Sequence, residues 1–233
     1  MTRWAFIDIG NVIWCDDEGD NFTLRNIGAA LTARGLPGSP EVVEAAQRRA
    51  VASYAPSAWR GAIWDCVRGD AQLFEQVLAE TLALWKAIDP DQYRAWTEPY
   101  PGVPEAIAAL AGDGFHLALA SNNTPNALTR LDELGLLDHF RVKEVSDTLG
   151  LSKPDTRFFL TLLDAAGCEP RQVVMVGDRP GNDVAPAKLL GMKTVRVRTG
   201  WHREQEPRGP GDLADLTIDD PAQFGDAVRR LLP

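Results

Sequence analysis

The sequence predicts an α/β fold, a doubly wound parallel sheet with an all-helical segment inserted near its start. After residue 100, short apolar segments alternate with amphipathic ones, which is typical of parallel strands joined by helical crossovers. Before residue 100, only Trp4–Gly10 is a short apolar segment, and residues 22–96 have a helical pattern. The helical stretch therefore interrupts the sheet directly after its first strand.

The elements follow from apolar periodicity and from Pro and Gly punctuation. Short apolar segments predict six strands: Trp4–Gly10, Phe115–Ala120, Arg141–Val145, Gln172–Val176, Lys193–Arg198 and Leu216–Ile218. Amphipathic segments between them predict helices: Val103–Gly112, Pro125–Leu136, Thr156–Ala166, Asn182–Leu190 and Pro221–Leu232. In the inserted segment, apolar residues recur at helical spacing, as at Leu73, Val77, Leu78, Leu82 and Trp85.

Two domains follow from this order. We predict that residues 1–15 and 98–233 form an α/β core domain and that residues 16–97 form a helical cap domain. Ligands of such sheets bind at the carboxyl ends of the strands. Because the insertion leaves the core at that end, we expect it to act as a lid. The alternative is that its helices simply pack on the sheet.

Charge and cysteine content limit the partners. The formal net charge of −9 disfavours nucleic acid and anionic membrane surfaces, although a metal ion could still attract an anionic substrate. The cysteines, Cys15, Cys66 and Cys168, lack zinc-type spacing, so we expect reduced thiols in a cytoplasmic protein. No signal peptide or membrane span is expected, and the sequence leaves the oligomeric state open.

Polar residues follow the predicted strands. These strand-end residues are Asp8, Ser121, Asn122, Lys153, Asp178 and Asp183. Carboxylates brought together repel one another unless a cation joins them, and hard oxygen ligands suit Mg²⁺. A carboxylate can also attack phosphorus, while Lys153 and Ser121 could stabilise the transferring phosphoryl group. The pattern therefore predicts phosphoryl-transfer chemistry at one edge of the sheet.

The order and spacing of these residues resemble the haloacid dehalogenase (HAD) superfamily. The first motif, Asp8-Ile9-Gly10-Asn11-Val12, resembles its Asp-x-Gly-Asn-Val branch, and the insertion resembles the helical cap of its subfamily I. The resemblance covers residues 1–15 and 98–200 and implies a Rossmann-like core that uses Mg²⁺ as cofactor. It implies that the partner is a small phosphorylated metabolite, and from the net charge we expect neither nucleic acid nor membrane as a partner.

The resemblance also implies roles for single residues. Asp8 would be the nucleophile and a metal ligand, and Ser121 and Lys153 would complete the catalytic group. The Gly10 carbonyl and Asp178 would bind Mg²⁺, with Asp183 supporting the metal from behind its ligands. Phosphate is expected to contact four residues: Asn11, Ser121, Asn122 and Lys153.

One position departs from the family pattern. The usual first motif carries a second Asp, the proton-transfer residue, where this chain has Gly10. Three hypotheses therefore stay open. In the first, the protein is a phosphatase that moves the proton through water or through a cap group such as Asp16 or Asp17. In the second, it is a weak or inactive relative that binds a phosphorylated ligand or a protein. In the third, it is a 2-haloacid dehalogenase or has another activity of the superfamily. The metal-binding form of the acidic motif favours a phosphatase, with sugar phosphates among the candidate substrates.

Outside the motifs, residues 57–61 are expected to connect two helices, where Trp59 and Arg60 could hold a sugar or a second anionic group. The alternative is that they are packing and surface residues. We expect residues 200–211 to be a mobile surface loop, and the basic cluster of Arg196, Arg198, His202 and Arg203 to be a solvated face.

Overall fold

The computed structural model describes residues 2–233. The chain divides into two compact units, one formed by Met1–Cys15 with Thr97–Pro233 and the other by Asp16–Trp96. Thr97, which the sequence analysis includes in the helical domain, lies in the α/β unit. There its hydroxyl accepts a hydrogen bond from Arg130 Nε at 3.0 Å. Within residues 2–233, no helix is both long enough and apolar enough to cross a membrane.

Within the described residues, six strands of the α/β unit form one sheet in which every pair is parallel. The strands are β1 (Arg3–Ile7), β2 (Phe115–Leu119), β3 (Phe140–Val142), β4 (Val173–Gly177), β5 (Lys193–Val197) and β6 (Leu216–Ile218). Their order is β3-β2-β1-β4-β5-β6. β1 therefore lies between β2 and β4, at the point where the order reverses and ligands usually bind.

Five helices of the helical unit lie within the described residues. They are α1 (Asp17–Thr32), α2 (Pro40–Ala52), α3 (Ala58–Cys66), α4 (Ala71–Lys86) and α5 (Pro90–Trp96). The aromatic rings of Phe22, Trp85 and Trp96 contact one another, and Trp85 Nε1 donates to Thr23 Oγ1 at 2.8 Å. These two tryptophans are thus packing residues of this unit.

The expectation that residues 57–61 connect two helices is wrong, because α3 begins there. Ser57 caps it, accepting a hydrogen bond from Arg60 N at 3.4 Å. Gly61 lies inside α3, and a Cβ atom there would be 2.7 Å from Ala50 Cβ. Gly61 therefore lets α2 and α3 approach closely.

The remaining helices all belong to the α/β unit. They are α6 (Val103–Gly112), α7 (Pro125–Glu133), α8 (Ser146–Leu149), α9 (Thr156–Ala166), α10 (Ala185–Leu190) and α11 (Phe224–Leu231). α6 and α7 have Pro in their first turn, where no amide hydrogen bond is lost. The helix predicted from Asn182 begins as α-helix only at Ala185, because Pro180–Val184 form a π turn.

Apolar side chains cover both faces of the sheet. Along β1, Ala5 and Ile7 belong to one buried cluster, whereas Trp4 and Phe6 belong to a second. The first cluster includes residues of α6, α7 and α11, and the second includes residues of α9 and α10. Helices therefore cover both faces, and the predicted doubly wound α/β fold is confirmed.

The chain leaves and re-enters the α/β unit through two paired segments. Trp14 forms an antiparallel bridge with Pro99, and Tyr100 N donates to Ile13 O at 2.9 Å. The buried guanidinium of Arg130, on α7, holds the returning segment through Thr97 and Glu98. The two ends of the inserted segment are thus held beside each other within this unit.

Candidate active site

Three buried carboxylates meet where β1 and β4 end. Asp8 follows β1, Asp178 follows β4, and Asp183 lies in the π turn after β4. Each offers one oxygen atom, and these three atoms lie within 4.8 Å of one another. Because β1 and β4 are parallel neighbours, their carboxyl ends bring the first two carboxylates together. The edge of the sheet anticipated from the sequence thus carries the acidic cluster.

Asp183 is held against the end of β4. Its Oδ2 accepts a hydrogen bond from Arg179 N at 2.9 Å. A Cβ atom on Gly177 would lie 2.3 Å from Asp183 Cγ. The carboxyl group therefore occupies space that any other residue at position 177 would fill.

Lys153 is the cation of the cluster. Its Nζ lies 2.8 Å from Asp8 Oδ2 and 2.6 Å from Asp183 Oδ1, and the residue is 3% exposed. Burial by itself lowers the pKa of Lys153, but the two carboxylates raise it above its usual range. The ammonium group therefore stays charged between them.

One lysine does not balance three buried carboxylates. Burial raises the pKa of Asp178 well above its ordinary value, and repulsion from Asp183 and Asp8 raises it further. Burial also raises the pKa of Asp183, against the effect of Lys153. A divalent cation would relieve this repulsion, and buried carboxylate oxygens are the hard ligands that suit Mg²⁺. The donor set therefore fits the cofactor that the resemblance implies.

The end of β2 adds Ser121 and Asn122. Ser121 is 2% exposed and lies beside Val145 in a parallel bridge. The side chain of Asn122 donates to Lys153 O and accepts from Lys153 N, each at 2.8 Å. The Asn122 amide thus holds the main chain of Lys153, and its expected contact with phosphate stays a prediction.

The turn after β1 holds the Asp8 carboxylate through a main-chain hydrogen bond. Ile9 N donates to Asp8 Oδ1 at 2.8 Å, and Asn11 N donates to Trp14 O at 2.8 Å. Asn11 adopts a left-handed conformation with φ of 57° and is buried. The main-chain N–H of Asn11 is thus used within the turn. The expected contact of Asn11 with phosphate and the expected contact of the Gly10 carbonyl with the metal both stay predictions.

Arg60 is not among the residues that the α/β unit brings together. It lies in α3 of the helical unit, is exposed, and places its guanidinium 5.4 Å from the centre of the Trp59 ring. Asp16 and Asp17 also belong to the helical unit, at the start of α1. Their roles with substrate stay predictions.

The sequence interpretation missed the segment after β5. Arg196 and His202 are 4% and 5% exposed, so the expectation of a solvated basic face is wrong for both. Gln205 is buried as well as His202, so residues 200–211 are not simply a surface loop. The available signal was that Arg196 lies between Val195 and Val197 in a predicted strand.

A carboxylate cluster at the strand ends of a doubly wound sheet, with a lysine between the carboxylates, is a feature of one class of hydrolases. The family model described as haloacid dehalogenase-like hydrolase matches residues 2–191. The chain belongs to this family.

Relatives of known name match part of the chain. A glyceraldehyde 3-phosphate phosphatase from Methanopyrus kandleri is 35% identical over 138 residues, which are 59% of each protein. A phosphoserine phosphatase from Thermus thermophilus is 40% identical over 127 residues, which are 51% of each protein. The match thus spans only half to three fifths of these relatives' length. An HAD phosphatase from Thermococcus onnurineus shares the fold, with a TM-score of 0.65 and 23% identity, covering 97% of this chain and 98% of that one.

Proposed function

We propose that this protein is a Mg²⁺-dependent phosphatase that hydrolyses a small phosphorylated metabolite through an aspartyl-phosphate on Asp8. The observation that carries the proposal is the meeting of Asp8, Asp178 and Asp183 around the buried Lys153. A structural ion pair needs one carboxylate for one lysine, whereas this cluster has an excess of negative charge. An additional cation and a phosphoryl group would complete it.

Asp8 is the proposed nucleophile. Its two oxygens each receive one hydrogen bond, Oδ1 from Ile9 N and Oδ2 from the Lys153 ammonium, so the carboxylate plane is fixed. Attack would form a bond between an Asp8 oxygen and phosphorus and break the bond from phosphorus to the leaving oxygen. Water then attacks the same phosphorus, releasing phosphate and restoring the carboxylate.

Binding of the phosphoryl group would use the remaining strand ends. Asp8, the Gly10 carbonyl and Asp178 would hold Mg²⁺, with Asp183 behind them. The ion would neutralise negative charge on the phosphoryl oxygens. Lys153 would add a second positive charge, and Ser121 would donate a hydrogen bond to a phosphoryl oxygen. Asn122 would keep the Lys153 main chain in place during the reaction.

Proton transfer is the step for which the core lacks the usual group. The leaving oxygen needs a proton, and Gly10 has no side chain to supply it. We propose that solvent water, or Asp16 or Asp17 of the helical unit, supplies this proton. Such acid–base assistance is typically worth about 10²–10⁴ in rate.

The substrate class rests on the relatives. Those named above are phosphatases of glyceraldehyde 3-phosphate and of phosphoserine, both small phosphate monoesters. We propose a substrate of the same kind, with sugar phosphates included.

A substrate panel tests the proposal. The wild-type protein is incubated with small phosphate monoesters and 2-haloacids, with Mg²⁺ or with EDTA, and released phosphate and halide are measured. The expected result is release of phosphate in Mg²⁺ only. Asp8→Asn is expected to lower this rate by at least about 10³-fold, and Asp138→Asn, at an exposed ion pair with Lys143, serves as the matched control.

Three other results of these assays would contradict the phosphatase proposal. Unchanged turnover in Asp8→Asn would refute the mechanism. Halide release in EDTA would indicate a dehalogenase instead. Binding of phosphate esters without release of phosphate or halide would indicate a non-catalytic relative.

A further inference from the structure

Residues 196–203 include the last two residues of β5 and the six that follow, and we call them the β5 segment. This segment contacts the backbone of Asp178, after β4, and of Asn11, after β1. Arg196 pairs in register with Gly177, the residue that precedes Asp178. Its guanidinium is buried beneath the end of β4, where a charge is costly unless it is well compensated. Such a position calls for specific partners.

Arg196 donates hydrogen bonds to three main-chain carbonyl groups. Nε donates to Asp178 O at 3.4 Å, and Nη2 donates to His202 O at 2.8 Å and to Arg203 O at 3.3 Å. The rigid planar guanidinium therefore joins the carbonyl of Asp178 to the turn at Gly200–His202.

The same segment holds the turn after β1. The Thr199 hydroxyl donates to Asn11 O. Gly200 packs so closely on the Asn11 side chain that a Cβ atom there would lie 2.5 Å from its Nδ2. Asn11 lies three residues after Asp8, in the turn that carries Gly10. The β5 segment thus contacts both loops from which metal ligands are proposed to come.

We propose that Arg196 and Thr199 are positioning residues of the metal centre, which hold the Asp178 and Asp8–Asn11 backbones at the spacing that a divalent cation requires. The inference rests on the proposed function in so far as that function needs the cation. Groups that orient metal ligands typically contribute about 10–100-fold to metal affinity. Arg196 contacts the backbone of the proposed ligand Asp178, and Thr199 contacts the backbone of Asn11, which follows the proposed ligand Gly10. Because neither residue would touch the ion, their effect is expected in affinity first.

Mn²⁺ binding, measured by isothermal titration calorimetry on the full chain, tests this without substrate. Arg196→Met is expected to raise the Kd for Mn²⁺ about tenfold or more. Thr199→Val, which removes one hydroxyl, is expected to raise it about threefold to tenfold. Arg196→Lys keeps the charge but has a single donor group, so its Kd should fall between those of the wild type and Arg196→Met.

Two matched controls separate positioning from general damage. Arg198→Met removes an exposed guanidinium two residues further on, which pairs with Asp219. Thr161→Val removes an exposed hydroxyl that donates to a main-chain carbonyl in α9. Both controls are expected to keep the wild-type Kd. Thermal unfolding is recorded for every variant, so that affinities are compared between folded proteins.

The outcomes distinguish this inference from the proposed function. Wild-type Mn²⁺ affinity in both Arg196→Met and Thr199→Val would overturn the inference and leave the phosphatase proposal standing. Failure of the wild-type protein to bind Mn²⁺ would overturn both. If Arg196→Met does not fold, the Kd of Thr199→Val decides the question, and an unchanged value rejects the inference.

Discussion

The carboxyl group of Asp183 packs against the main chain of Gly177, in the space that a Cβ atom at residue 177 would occupy. Gly177→Ala must therefore displace Asp183 from Lys153 and from the acidic cluster. We expect the Mn²⁺ affinity of this variant to fall at least about tenfold, with a similar or larger loss of phosphatase activity. Calorimetry and a phosphate-release assay measure the two effects.

Gly112→Ala is the matched control for this substitution. Nothing lies within 4 Å of a Cβ atom at Gly112, which ends α6. This variant should bind Mn²⁺ as the wild type does. A Gly177→Ala protein with normal metal affinity would mean that Asp183 does not support the metal.

A second prediction concerns Asn122, whose side chain makes both of its hydrogen bonds with the Lys153 main chain. Asn122→Ala removes both, each worth about 1 kcal/mol, and loosens the loop that carries the ammonium group. We expect kcat to fall about tenfold with a change in Tm of only a few degrees. Asn126→Ala, on the exposed surface of α7, should leave kcat unchanged; an equal loss in both variants would contradict the argument.

Gly10→Asp restores the proton-transfer residue of the family pattern. If water now performs that step, we expect kcat to be preserved or to rise, by up to about 10²-fold. Steady-state kinetics with the best substrate of the panel, over a range of pH, measures the effect. A large loss of activity would instead mean that the substrate needs the space at Gly10.

The stability of the α/β unit should depend on pH through His202. Burial lowers the pKa of His202 to about 3, and the positive charges of Arg179 and Arg196 add to this effect. The unfolded chain binds a proton near pH 6.5, whereas the folded chain does not until about pH 3. The free energy of unfolding should therefore fall as the pH drops from 6.5 towards 3.

Urea unfolding at pH 7 and pH 5 measures this dependence. Between these two values, His202 should cost the wild type about 1–2 kcal/mol of stability, and His202→Gln should lose correspondingly less. An identical loss in both proteins would show that His202 does not titrate in this window.

The acidic cluster could be predicted from the sequence because it depends on topology alone. In a parallel sheet with β1 between β2 and β4, residues that follow these strands must meet at one edge. Asp8 and Asp178 therefore converge whatever the exact lengths of the helices, whereas Lys153 lies beyond β3 and α8 and joins them through its loop. The doubly wound core could be predicted from the same alternation of strands and helices.

Other features could not be predicted, since they depend on which side chains find partners in three dimensions. The hydrogen bonds between the Asn122 amide and the Lys153 main chain join residues 31 positions apart, which no local pattern reveals. Arg196 looked solvated because charged residues usually are, but main-chain carbonyls compensate it in the interior. Residues 57–61 are expected from the sequence to connect two helices, whereas Ser57 caps a helix and Gly61 permits close helix packing.

The pairing of Trp14 with Pro99 and of Tyr100 with Ile13 has an evolutionary consequence. Because the chain departs and returns through two hydrogen-bonded neighbours, the α/β unit is closed by a hairpin-like neck. Any polypeptide whose ends are about a strand spacing apart could be grafted onto that neck, and longer grafts would add little closure entropy. Recombination could therefore exchange the module on the neck while Asp8, Lys153 and Asp178 stay in register.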